Sequence, residues 1–184
     1  MKTVQELQHT VFDALKDEYG FKSPMQTPKI TRVSVSSGIG KIRADKRKVE
    51  IIEDRLAKIT GQKPAVAKAK KSIATFKIRE GEVAAYKINL TGKRALSFVD
   101  KLIHVALPRT KDFRGLKRSS VDEMGNLTIG VKEHTIFPET GDEELRDIFG
   151  LSITIGTTAT NKEEAIAFFE HIGIPFRKEE EATS

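Results

Sequence analysis

The sequence contains no cysteine. Disulfide frameworks, thiolate nucleophiles and cysteine-built zinc sites are therefore excluded. Long apolar runs are missing too: no stretch approaches the ~20 residues needed to span a bilayer. The N-terminus lacks the apolar segment of an export signal, and Glu6, Asp13, Asp17 and Glu18 are out of keeping with a transit peptide. These absences predict a soluble, unexported chain in the cytoplasm, with no membrane partner. Internal repeats and long low-complexity segments are absent as well. At 184 residues the chain is long enough to bury a core as one domain without staples. The expected organisation is a single domain over 1–178 and an acidic, disordered tail over 179–184.

Charge is present in quantity and unevenly placed. Residues 29–118 hold 24 basic and eight acidic side chains, whereas residues 119–184 hold five basic and 14 acidic. A middle section with that excess calls for a polyanionic partner, and phosphate backbones are the commonest one.

Apolar spacing outlines the elements. Val4, Leu7, Val11, Ala14 and Leu15 predict a helix over 4–19, ended by Gly20. Lys29–Ser37 alternates, with Thr31, Val33 and Val35 on one side and Arg32, Ser34 and Ser36 on the other. Asp45 should cap a helix carrying Val49, Ile52, Leu56 and Ile59, stopped by Gly61. A short strand, a basic loop and a returning segment follow over 62–79. A second alternating strand spans 84–91, with Tyr86, Ile88 and Leu90 opposite Lys87, Asn89 and Thr91. A helix over 93–107 ends at Pro108. Residues 109–126 read as loop. Strands are predicted at 127–131 and 151–157, and a short acid-led helix at 142–149. Asn161 and Glu164 predict a capping box for a last helix, closed by Gly173 and Pro175. The expected fold is α+β: a mostly antiparallel sheet with helices packed on one face and a polar face opposite.

That polar face is the first candidate site. Arg32, Ser34, Ser36, Lys87, Asn89 and Thr91 include no acid, in a chain with 26 Asp and Glu among 184 residues. Cations pair with phosphates, while hydroxyls and amides hydrogen-bond ribose and phosphate oxygens. No aromatic stands among them, so a sheet that stacks splayed bases is disfavoured. A folded RNA read by shape fits better; an ordinary hydrated sheet face is the alternative. Residues 61–79 carry Lys63, Lys68, Lys70, Lys71, Lys77 and Arg79 without an acid, with Phe76 and Ile78 able to pack on a ribose or base. Gly38-Ile39-Gly40-Lys41 lacks the spacing of a P-loop but could turn its amides toward a phosphate.

Catalytic groupings are poor. His9, His104, His134 and His171 are scattered. His104 stands one turn after Asp100, as a helix-surface pair would. Glu133-His134 lacks the second His of a zinc helix motif, and Asp142, Glu143, Glu144 and Asp147 read as a solvated acidic face rather than a metal site. No catalytic residue, metal, cofactor or small-molecule substrate is expected. A nucleotide-dependent enzyme built on Gly38–Lys41 would need a general base or metal cluster that the sequence does not supply.

Several segments in register carry a family likeness. They are Ile59-Thr60-Gly61-Gln62-Lys63-Pro64, Ala69-Lys70-Lys71-Ser72-Ile73, Phe76-Lys77-Ile78-Arg79, Pro108-Arg109, Asp112-Phe113-Arg114-Gly115-Leu116, Gly125-Asn126, Ile136-Phe137-Pro138-Glu139 and Pro175-Phe176-Arg177-Lys178. Over nearly its whole length the chain resembles the bacterial type of large-subunit ribosomal protein five, the family that binds 5S rRNA. The resemblance implies a structural role in the central protuberance, anchoring 5S rRNA and touching the large-subunit rRNA. It also implies contact with P-site tRNA and a bridge to a small-subunit head protein. By position, the 5S contacts would be Arg32, Ser34, Ser36, Ser37, Gly38, Gly40, Gln62, Lys63, Lys87, Asn89 and Thr91. The tRNA loop would be Lys70, Lys71, Ser72, Phe76, Lys77, Ile78 and Arg79. The bridge would use Arg109, Asp112, Phe113, Arg114 and Gly115, with a second stretch near Phe137–Gly141. Two departures stand out: Ser36-Ser37 where the family commonly carries Asn, and Asn89 where Thr is common. A free RNA chaperone or assembly factor using the same surface is the alternative function.

Overall fold

The computed structural model describes residues 2–40, 42, 45–140 and 148–177. Its architecture is α+β, with a five-stranded antiparallel sheet. The strands are β1 (Ile30–Gly38), β2 (Ala65–Lys68), β3 (Val83–Thr91), β4 (Leu127–Val131) and β5 (Leu151–Thr157), in the order β2-β3-β1-β5-β4. β2 lies at an edge, with Ala65 opposite Lys87 and Val66 opposite Tyr86; a register shift follows between Ala67 and Lys68.

The helices are α1 (Val4–Tyr19), α2 (Lys46–Thr60), α3 (Gly92–Lys101) and α4 (Lys162–His171). α1 begins at a reciprocal box: the Glu6 amide donates to Thr3 Oγ1 at 3.3 Å and the Thr3 amide to Glu6 Oε2 at 2.9 Å. α2 begins as expected, the Lys48 amide donating to Asp45 Oδ1. None of the helices among the described residues is long and apolar enough to cross a membrane.

Two expectations are corrected. The helix predicted over 93–107 does not continue as an α-helix; Leu102–Ala106 form a π turn, and the Leu107 amide donates to Leu102 O at 2.9 Å. The wider turn leaves Leu102, Ile103, Ala106 and Leu107 all buried ahead of Pro108, whose missing amide ends the helix. Asn161 makes no side-chain cap bond at α4. Instead the buried Glu164 carboxylate accepts from the Thr160 amide (3.1 Å) and hydroxyl (2.7 Å), so one acid satisfies two donors just outside the helix. The acid-led helix expected at 142–149 lies largely outside the described residues, and the tail after 177 wholly so.

The chain divides into two compact units, 1–33 with 90–129 and 154–184, and 34–89 with 130–153. In the first, α1 packs against α3 and α4. Phe168 and Phe169, with ring centroids 5.6 Å apart, are fully buried there with Val11, Val99 and Ile155. In the second, Leu56 and Ile59 of α2, Ile88 of β3 and Phe137 form the core. Burial along the strands alternates: Val33 and Val35, Tyr86 and Ile88, Leu127 and Ile129, Leu151 and Ile153 are all turned inward.

Candidate nucleic-acid interface

The alternation turns the other side chains of β1 and β3 outward. Lys87, Asn89 and Thr91 are exposed between the buried Tyr86, Ile88 and Leu90. Arg32 is exposed, and Ser34 and Ser36 are half-buried, between the buried Val33, Val35 and Ser37. Ser34 Oγ donates across the strands to Asn89 Oδ1 at 2.8 Å. Period-two geometry therefore brings six acid-free polar positions onto the outward sides of two neighbouring strands.

Ser37 does not share that outward direction. It is one residue out of phase with Ser36, is 1% exposed, and donates to Gly150 O at 2.8 Å. Its hydroxyl is spent inside the fold. Gly38 and Gly40 flank the buried Ile39, whose amide donates to Ala84 O and pins the turn. A side chain at either glycine would meet no atom within 4 Å, and neither backbone has positive φ. The fold does not demand glycine there; its absent side chains leave the backbone open to a ligand. Lys41 lies outside the described residues.

Gln62 and Lys63 follow α2. Thr60 Oγ1 donates to Leu56 O at 2.7 Å and lies 3.1 Å from Gln62 O, where the chain turns at Gly61. Lys63 is highly exposed, its ammonium 3.6 Å from Glu53; so open a pair stabilises little. Glu53 also accepts from the inward Tyr86 hydroxyl at 3.2 Å. Burial first, and then the hydrogen bond to Glu53, push the Tyr86 phenol above its ordinary value.

The basic loop is organised by its own backbone. Ile73 and Ile78 exchange both amide bonds, and the Lys77 amide donates to Ala74 O, making a small hairpin. Ala69 bonds Glu82 O and accepts from Gly81 at the base, while the Glu80 amide donates to Ser72 Oγ. Lys70, Lys71, Ser72, Phe76, Lys77 and Arg79 are exposed and Ile78 half-buried. Phe76, 68% exposed, is a large apolar ring held in water at the tip. Such a cost makes sense where a partner covers it.

In the other unit, Arg109, Asp112 and Arg114 are exposed and Phe113 is half-buried. Gly115 is structural. A side chain there would lie 3.0 Å from the backbone of Phe176 and Arg177, and Gly115 O accepts from Arg177 Nε. Leu116 pairs with Phe176 beside it, tying this loop to the C-terminal segment. The second predicted bridge stretch is half core: Phe137 and Thr140 are fully buried, with Pro138 and Glu139 exposed between them. Gly141 lies outside the described residues.

The histidines take structural parts. His134 is buried, its ring stacked 4.2 Å from Phe149, and Arg55 Nη1 donates to its Nε2 at 3.1 Å. The motifs of the sequence do not single out Arg55, although it falls on the inward stripe with Ile52, Leu56 and Ile59. His104 is paired with Asp100, though its shorter contact, 3.0 Å, is to the Asp100 carbonyl oxygen. The Asp100 carboxylate accepts from the Val4 amide at 2.8 Å, serving the N-terminus of α1. Among the described residues, no three His, Asp or Glu side chains are grouped to hold a metal.

Known proteins resemble the chain throughout. The family model for ribosomal protein L5 matches residues 23–79, and the model for the C-terminus of that ribosomal family matches residues 83–176. The chain is 44% identical to the large ribosomal subunit protein uL5 of Mesoplasma florum, over 97% of this chain and 100% of that one. It is 43% identical to the protein of the same name from Mycoplasma mycoides subsp. mycoides, with the same coverage. An Anaeromyxobacter uL5 is 43% identical over 89% of this chain and 91% of its own length.

Proposed function

Because the chain belongs to the ribosomal protein L5 family, we propose that it anchors 5S rRNA through the outward side of β1 and β3, touches the large-subunit rRNA, contacts P-site tRNA through the basic loop, and joins an intersubunit bridge. It is a structural protein of the large ribosomal subunit and not an enzyme. The observation that carries the RNA reading is the set of acid-free outward positions on β1 and β3, each interleaved with a buried apolar residue. Phosphates would meet Arg32, Lys63 and Lys87. Ser36, Asn89 and Thr91 would hydrogen-bond ribose or phosphate oxygens, with Ser34 bonded to Asn89 beside them, and Gly38 and Gly40 would admit the RNA backbone. With no aromatic among these residues, binding depends on the shape of a folded RNA rather than on stacked bases.

The loop hairpin separates its work from that of the strands. Its exposed Lys70, Lys71, Lys77 and Arg79 share the loop with the exposed Phe76, suiting a second RNA surface, the tRNA. Arg109, Asp112, Phe113 and Arg114 form the bridge loop, steadied by the contact of Gly115 with Phe176 and Arg177. The acidic excess of residues 119–184 suits a basic protein across the bridge.

The test is binding of purified protein to 5S rRNA, titrated against salt, with an unrelated folded RNA of equal length as competitor. A strong preference for 5S rRNA, falling steeply with salt, is expected. Equal binding of both RNAs would overturn the reading and favour a free RNA chaperone.

A further inference from the structure

The pairing of Ser34 with Asn89 goes further than placing both on one RNA-binding surface. An exposed asparagine presents a carbonyl acceptor on one side and two N–H donors on the other, and it can rotate to exchange them. Here the carbonyl end is turned toward Ser34. Ser34, central in β1, donates its hydroxyl to Asn89 Oδ1 at 2.8 Å. The carbonyl, the end that would repel a phosphate, is occupied. The amide nitrogen is left as the outward group, and among the described residues it has no hydrogen-bond acceptor. None of the other outward residues of these two strands, Arg32, Ser36, Lys87 and Thr91, is an acid that could quench the donor. Lys87 stands two residues earlier on β3, about 6.6 Å along the strand.

We propose that Ser34 is a positioning residue that locks the Asn89 amide, so that this surface offers a donor-only group beside the Lys87 ammonium to an acceptor oxygen of the RNA backbone. The inference rests on the 5S reading above. It assigns different tasks to two residues of similar polarity: Asn89 touches the RNA, and Ser34 acts through Asn89.

A double-mutant cycle in 5S rRNA affinity, with the unrelated folded RNA as competitor, tests it. Asn89→Ala should weaken 5S binding about tenfold and Ser34→Ala several-fold. The double variant should bind no more weakly than Asn89→Ala alone, because Ser34 has no task once the amide is gone. Ser34→Thr, which keeps the hydroxyl, should restore affinity. Asn89→Asp keeps the oxygen that Ser34 holds but replaces the donor with an anion, and should bind more weakly than Asn89→Ala. The salt slopes of Ser34→Ala and Asn89→Ala should match that of the unmutated protein, since neither removes a charge. Additive losses, or wild-type affinity for Ser34→Ala, would overturn the positioning role while leaving the 5S reading in place. If the unmutated protein shows no preference for 5S rRNA, the reading beneath the inference fails instead.

Discussion

Lys87 and Ile88 are neighbours in sequence with opposite surroundings, and exchanging each for alanine separates binding from stability. Ile88 is 2% exposed. Ile88→Ala removes buried methyl and methylene groups and leaves a cavity, which costs about 2–5 kcal/mol. For a chain of this size each kcal/mol lowers the unfolding midpoint by about 2–4 °C, so a fall of roughly 4–20 °C is expected. The folded fraction of Ile88→Ala, assayed well below its midpoint, should bind 5S rRNA like the unmutated protein. Lys87→Ala reverses the pattern. The exposed side chain supports little packing, so stability should move by no more than about 0.5 kcal/mol. The slope of log affinity against log salt should fall by about one, the signature of one lost phosphate contact. Thermal unfolding by circular dichroism and a salt-titrated binding assay give the two readings. An unchanged slope for Lys87→Ala would remove it from the interface. A small midpoint change for Ile88→Ala would show that this side of β3 is not core.

Three further outcomes follow from the geometry. Asp100→Ala deprives the Val4 amide of a charged acceptor at 2.8 Å; for a carboxylate still 28% exposed, the loss should sit near the lower end of about 1.5–3 kcal/mol. Asp100→Asn should recover most of it, and equal urea midpoints for Asp100→Ala and the unmutated protein would refute the cap. Neutralising Lys70, Lys71 and Lys77 together should spare 5S affinity and impair tRNA contact; a collapse of 5S affinity would show that loop and strands do not divide the work. Burial alone would raise the Asp122 carboxyl, but hydrogen bonds from the Asn126 side chain and backbone and the Met124 backbone hold it below its ordinary value. Its stabilisation is therefore complete above the ordinary carboxylate pKa and is lost as pH falls through the depressed one. The stability gap between the unmutated protein and Asp122→Ala should be constant at neutral pH and close as the pH falls below the ordinary carboxylate range. A gap unchanged by acid would rule this out.

Much of the architecture is local and therefore legible in the residue order alone. The period-two runs at 30–38 and 83–91 turn Val33, Val35, Tyr86, Ile88 and Leu90 into the core by backbone geometry, so the outward Arg32, Lys87 and Asn89 can be named from sequence. Asp45 and Gly61 bound α2 through bonds to nearby residues, which makes them readable in the same way. The same local rule, followed one residue further, turns Ser37 inward.

Other features depend on partners far away in the chain. Asp100 has the spacing of half a surface pair with His104; its bond to Val4, 96 residues distant, exists only because α3 meets the start of α1. Arg55 sits on an apolar stripe against every local preference for a charge, and a hydrogen-bond partner, His134, is 79 residues on. The α-helical spacing of 93–107 gives no sign of the π turn, which changes how Leu102–Leu107 are buried rather than which residues are apolar. For function the division is the same. Residue types and their alternation determined that this chain presents cations and short polar groups to a polyanion. Only the pairing of strands decided that Ser34 and Asn89, 55 residues apart, share a hydrogen bond. Hydrophobic period is a property of neighbours along the chain; hydrogen-bond direction across a sheet is settled only when the strands meet.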